Sequence, residues 1–175
     1  LGSLTTSGTI VGGLTNTGTV LASAGRIDGA IRNAAGILTI SGPVVSDGTL
    51  ANAAGASLAV TGTYRLSGSL TNTGIVALAP TGSLTAPAGL SNAGSLTNAG
   101  TITGSLANAG QATNSGTITG GLTNAGTVTA SAGRIDGAIR NEAGLFTVSG
   151  TVTSDGTLAN AAGATLAVAG TYSLS

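Results

Sequence analysis

The sequence predicts an all-β chain wound as a parallel β-helix, a β-solenoid with three short strands in each coil. Three observations carry that expectation. The segment 12–67 returns almost unchanged at 120–175, a motif L-x-N-x-G or L/I-x-N-x-A-G recurs at short and nearly regular intervals, and between motifs short polar–apolar–polar runs are broken by Gly or Asn.

The long repeat is plain in the letters. GGLTNTGTVLASAGRIDGAIRN (12–33) returns as GGLTNAGTVTASAGRIDGAIRN (120–141), an offset of 108, and 45 of the 56 aligned positions in 12–67 and 120–175 are identical without a gap. The chain is read as one solenoid domain over 1–175, in which 1–67 is duplicated as 109–175, and as a piece of a longer repeat array. Inside the long period lies a short one. Asn stands at 16, 33, 52, 72, 92, 108, 124, 141 and 160, at intervals of 17, 19, 20, 20, 16, 16, 17 and 19, and six intervals make up the long period. Repetition on this scale marks units that bury their apolar side only by stacking, which gives about nine coils here.

Each coil holds three apolar-centred segments. A period of two marks a strand with one buried face. Gly and Asn at the breaks suit sharp corners, and β-branched residues with a Gly every few positions disfavour helix. Stacked coils rise by one strand spacing, about 4.8 Å, so nine make a rod roughly 45 Å long. Three inward ladders follow. The first holds Val20, Leu38, Leu58, Val76, Leu96, Ala112, Val128, Phe146 and Leu166. The second holds Ile27, Val44, Tyr64, Leu84, Ile102, Ile118, Ile135, Val152 and Tyr172. The third holds Leu14, Ile31, Leu50, Leu70, Leu90, Leu106, Leu122, Ile139 and Leu158. A narrow aliphatic core of this kind explains why 41% of residues are hydrophobic and only 2% aromatic. Spacing the anchors Leu106, Ala112, Ile118 and Leu122 by six, six and four, not evenly by six, favours the right-handed crossover.

The recurrent Asn has its own expected role. A corner leaves backbone groups without strand partners, and those groups must be paired. Stacked Asn amides can bond one another and the corner backbone. Asn16, Asn33, Asn52, Asn72, Asn92, Asn108, Asn124, Asn141 and Asn160 are therefore expected to form one structural ladder.

Units such as LTNAGTITG and LANAGQATNSGTITGG resemble the repeats of autotransporter passengers and of filamentous-haemagglutinin-like adhesins. The resemblance is one of composition and period over essentially the whole chain, with no family-specific site residue. It implies a right-handed β-helix, secreted to the bacterial cell surface, that serves adhesion, aggregation or biofilm formation. The signal peptide, secretion cap and barrel of those families do not occur in these residues.

Composition excludes several chemistries. The chain has no His, Cys, Met, Trp or Lys, and its five Arg balance five acidic residues. That removes Ser–His–Asp and Cys–His nucleophiles, disulfides and the usual zinc and copper sites. It leaves no basic footprint for nucleic acid, and no apolar run is long enough for a membrane helix. A phosphate loop would need a following helix and usually a Lys. No catalytic residue, metal site or cofactor is expected.

The charged residues form the candidate binding patch: Arg26, Asp28, Arg32 and Asp47, repeated as Arg134, Asp136, Arg140 and Asp155. Asp47 and Asp155 precede Gly as Asp28 and Asp136 do, so the carboxylates of adjacent coils are expected to stack. A pair about 5 Å apart would match a retaining glycosidase or a weak cation site. Asp–Gly turns neutralised by Arg are the plainer reading, and two copies suit a multivalent surface better than an active site. Outward Thr101/Thr103, Thr117/Thr119 and Thr151/Thr153 raise ice binding, which Arg134/Asp136 and Pro43/Val45 interrupt.

The leading expectation is a non-enzymatic passenger or stalk segment of a surface adhesin. It would be extracellular, packed against neighbouring repeats of its own chain, and would offer polar faces to a host surface, an abiotic surface or a polysaccharide. The alternative is a purely structural filament joined end to end by self-association. A polysaccharide-active enzyme and an ice binder stand behind both.

Overall fold

The computed structural model describes residues 2–175. Among them there is no helix, and every strand pairing is parallel. The chain winds into a β-solenoid of about 10 turns with coils of about 18 residues. Each coil contributes a strand to three faces. Face one begins with Ser3–Thr6 and ends with Thr165–Val168, face two begins with Thr9–Ile10 and ends with Thr171–Leu174, and face three runs from Leu14–Asn16 to Leu158–Asn160. Faces one and two join through two unbroken strands, Thr127–Asp136 and Leu145–Ser154, while face three is a separate nine-stranded sheet. Faces one and two carry one rung more than the nine Asn markers indicate, because Leu4 stacks under Val20 and Ile10 under Ile27.

The first ladder stacks residue for residue from Val20 to Leu166. The third does so from Leu14 to Leu158. Their interior members are almost wholly buried: Leu58, Leu70, Val76, Ile139 and Phe146 are at 0% exposure. Each such side chain contributes about 1.5–3 kcal/mol relative to exposure. Phe146 enters without disturbance because it stacks between Val128 and Leu166 at a position already reserved for a large apolar group.

The second ladder corrects the sequence reading. Ile27 does not lie over Val44; it pairs with Ser46, and Val44 lies over Gly25. The same step recurs one repeat later, where Val152 lies over Gly133 and Thr153 over Arg134. Between the steps the ladder is straight, with Tyr64, Leu84, Ile102, Ile118 and Ile135 in register. A shift by two positions keeps every side chain on its own face, so alternation cannot reveal it. The step also settles a conflict among the expectations. Stacking Asp28 on Asp47 requires Ile27 over Ser46, whereas Ile27 over Val44 would set Asp28 against Val45. The structure adopts the first arrangement and buries Ser46 and Ser154 completely.

A fourth inward column lies two positions after the first on face one: Ala22, Ile40, Val60, Leu78, Asn98, Asn114, Ala130, Val148 and Val168. It widens the core where strands are long enough to reach it. In the tightest coils its place is taken by Asn98 and Asn114, at the corner leading to face two.

Candidate functional site

Two arrangements could carry function: the amide ladder inside and the charged clusters outside. In the ladder, each Asn Nδ2 donates to the Oδ1 of the Asn one coil on. The eight links from Asn16 to Asn160 measure 2.8, 2.7, 2.8, 2.6, 2.7, 2.9, 2.8 and 2.6 Å and all point the same way. The same nitrogens also donate to backbone carbonyls of the next coil, as Asn108 does to Thr127 O at 3.1 Å and Asn92 to Gln111 O at 2.9 Å. Asn16 and Asn124 accept from the amides of Gly18 and Gly126 within their own corners. Eight of the nine are buried and Asn160, in the last coil, is exposed. Unmet amides buried in this way would each be costly, so the eight buried members form a structural element with no spare donor for a ligand.

Asn98 and Asn114 form a second, two-member ladder at 2.7 Å that the sequence reading omits. Asn98 Nδ2 also reaches Thr117 O at 3.1 Å, while its buried Oδ1 accepts no hydrogen bond. Leu78, in the coil before, has no donor to offer it. The clue lay in SLTNAG (95–100) and QATNSG (111–116), which repeat the corner pattern of face three on face one.

Outside, the charged residues separate. On face two Arg26 pairs through Nε with Asp28, and through Nη2 with Asp47 Oδ2 at 2.9 Å. Arg134 pairs likewise with Asp136 and, at 3.5 Å, with Asp155. A third bond crosses the coils: the Gly29 amide donates to Asp47 Oδ1 at 2.6 Å, and the Gly137 amide to Asp155 Oδ1 at 2.7 Å. Gly29 and Gly137 have φ of +92° and +91°, which only Gly takes readily. A Cβ on Gly48 or Gly156 would strike the carbonyl of Gly29 or Gly137 below it. Both turns are therefore fixed by close backbone approach. The Gly29 hydrogen bond, more than the Arg26 charge, holds the Asp47 carboxyl below its ordinary value of 3.8.

Arg32 and Arg140 do not belong to these triads. They point outward from face three, in line with Thr15, Ala51, Thr123 and Ala159, and make no ion pair among the described residues. The expected eight-residue patch is thus two three-residue clusters with two separate cations. The Thr pairs divide as well: Thr101/Thr103 and Thr117/Thr119 stack on Ser83/Thr85, but the step carries Thr151 over Ala132 and Thr153 over Arg134.

Among the described residues no three His, Cys, Asp or Glu side chains converge as a metal site, and no helix is long and apolar enough to cross a membrane. A shallow groove of about 220 Å³ on face three, lined by Leu70, Thr71, Gly89, Leu90 and Ser91 among others, contains no titratable side chain. Compared with known proteins, the chain matches no family model, no curated protein and no solved structure. What is shown is therefore the architecture, a repetitive parallel β-solenoid.

Proposed function

We propose that this solenoid is a non-enzymatic stalk or passenger segment of a bacterial surface adhesin of the autotransporter or filamentous-haemagglutinin-like kind, working outside the cell. One observation carries the reading: the paired carboxylates of the two triads are already tied to Arg side chains and, at Asp47 and Asp155, to backbone amides, while small hydroxyl side chains stand outward in register. Asp28 and Asp47 both pair with Arg26, and Asp47 also accepts the Gly29 amide. A glycosidase acid needs a raised carboxyl pKa, and that of Asp47 is lowered. Outward Thr97, Thr113, Thr129 and Thr147 repeat once per coil on face one, as Thr85, Thr103 and Thr119 do on face two. Such rows offer many weak contacts of one kind, which gain strength through multivalency. The partner that fits is a repetitive uncharged surface, a neutral polysaccharide or an abiotic solid; nucleic acid and the membrane interior are not partners in this reading.

The test is adhesion of beads carrying the chain to surfaces coated with neutral polysaccharide, acidic polysaccharide or nothing. Retention should rise steeply with the number of chains per bead and should survive replacement of Arg26, Asp28, Arg134 and Asp136. Retention no greater than that of bare beads, or release of sugar from the coating, would contradict the proposal.

A further inference from the structure

Face two steps by two positions at two places, and each place carries one charged triad. We propose that the Asp47 carboxylate is an acid-sensitive clamp on the first step, so that its protonation loosens the coils there while the plain coils stay closed; Asp155 holds the same place on the second step.

The apolar core does not select the step. Both registers keep the alternation of the strand, and the unstepped one would stack Ile27 on Val44, two apolar groups, in place of Ile27 on Ser46. Something outside the core must therefore choose. The step leaves Gly29 at a corner where Asp28 N donates to Ile10 O, and the acceptor for Gly29 N is the Asp47 side chain. One carboxylate oxygen holds that amide and the other holds Arg26, so a single side chain ties the backbone and the side chain of the coil below. Asp155 repeats the amide bond on Gly137 and faces Arg134 as a looser ion pair at 3.5 Å. Eleven of the 56 aligned positions differ between the copies, yet none of these clamp residues does.

The charged groups around Asp47 are Arg26 and Asp28 from the coil below and Arg65 from the coil above, where Arg65 lies over Val45. Around Asp155 they are Arg134 and Asp136 below, and the strand above, Thr171–Leu174, carries no charge. Exposed ion pairs are weak, so the amide-to-carboxylate bond is the part of the clamp that matters most. The direction of its pH dependence follows. The Asp47 pKa is depressed by folding from 3.8, so the clamp is whole above that value and is lost as the pH falls through the lower folded one.

Hydrogen exchange at the Gly29 amide, referred to its intrinsic rate at the same pH, tests this on the full chain. Ala125, whose amide donates to the Asn108 carbonyl in the plain coils, is the internal control. As the pH falls from 7 through the folded pKa of Asp47, Gly29 should lose about tenfold in protection and Ala125 less than about twofold, the scale of one charge-assisted bond. Asp47→Ala should impose the loss at Gly29 already at pH 7. Asp47→Asn, which keeps a carbonyl acceptor but carries no charge and cannot titrate, should show at pH 7 the reduced protection of the acid form and no further acid dependence. Protection of Gly29 that is indifferent to Asp47→Ala, or an acid dependence that persists in Asp47→Asn, would overturn the proposal. If Asp47→Ala does not fold, Asp47→Asn decides.

Discussion

The plain coils from Asn92 to Asn124 and the stepped coils at Arg26–Asp47 and Arg134–Asp155 solve one stacking problem in two ways. In the plain coils successive Asn markers are 16 apart, no residue is charged, and every ladder runs straight. In the stepped coils the markers are 19 apart, from Asn33 to Asn52 and from Asn141 to Asn160. These coils bury a Ser in the core and are tied outside by Arg and Asp. All ten charged residues lie in 26–65 or 134–155, and none stands between Arg65 and Arg134. Charge is thus not what holds coils together. Six of the ten stand where two registers would satisfy the core and one must be selected.

The largest expected effect concerns the core shared by both kinds of coil. Leu106→Ala, between Leu90 and Leu122 in a plain coil, should cost about 3 kcal/mol in urea unfolding. Ile27→Ala, beneath Ser46 in a stepped coil, should cost about as much, since Ile27 is at 1% exposure. A cost at Ile27 below about 1 kcal/mol would mean that the stepped coil is not packed as described. Next comes the ladder. Asn108→Ala strands the Asn92 amide and frees Thr127 O and Asn124 Oδ1, and should cost about 2–3 kcal/mol, against about 1 for Asn160→Ala, which strands only the Asn141 amide at the exposed last coil. Equal costs at the two positions would remove the ladder from the account.

The smallest effect concerns the Ser that the step buries. Tyr64 donates its hydroxyl to Ser46 at 3.1 Å inside the core, and burial pushes its pKa up from 10.0 to about 12, the Ser46 bond opposing. Its neutral form therefore contributes stability that is full below pH 10 and is lost as the pH rises through about 12. Tyr64→Phe should cost about 1 kcal/mol at neutral pH and should weaken the alkaline fall in unfolding midpoint. A midpoint unchanged at both pH values would show that Ser46 is not beneath Tyr64's strand.

Ladders one and three were legible because their anchors recur at the same offset from Asn in every coil. The Asn ladder was legible because a polar residue at a fixed place before Gly has few other uses. The second ladder misled at Val44 and Val152. There an apolar residue competes with Ser46 or Ser154 two positions on, and the eye prefers the apolar one; the adjacent Asp–Gly pairs at 28–29 and 47–48 held the correct register. Asn98 and Asn114 were hidden for the opposite reason, since other coils place Ala, Ile, Val or Leu at that position and no column of like residues announces it. The separation of Arg32 and Arg140 from the triads depends on a corner between faces two and three that nearness in sequence conceals.

The central claim is that the chain makes one turn for every Asn marker, with Asn108 directly between Asn92 and Asn124. Nuclear Overhauser contacts from the Asn108 side-chain amide test it most directly. The structure predicts cross-peaks to Asn92 and Asn124, one coil away on either side, and the same pattern at every interior marker. An Asn108 amide that sees only residues of its own coil, with neither neighbouring Asn in reach, would contradict the account.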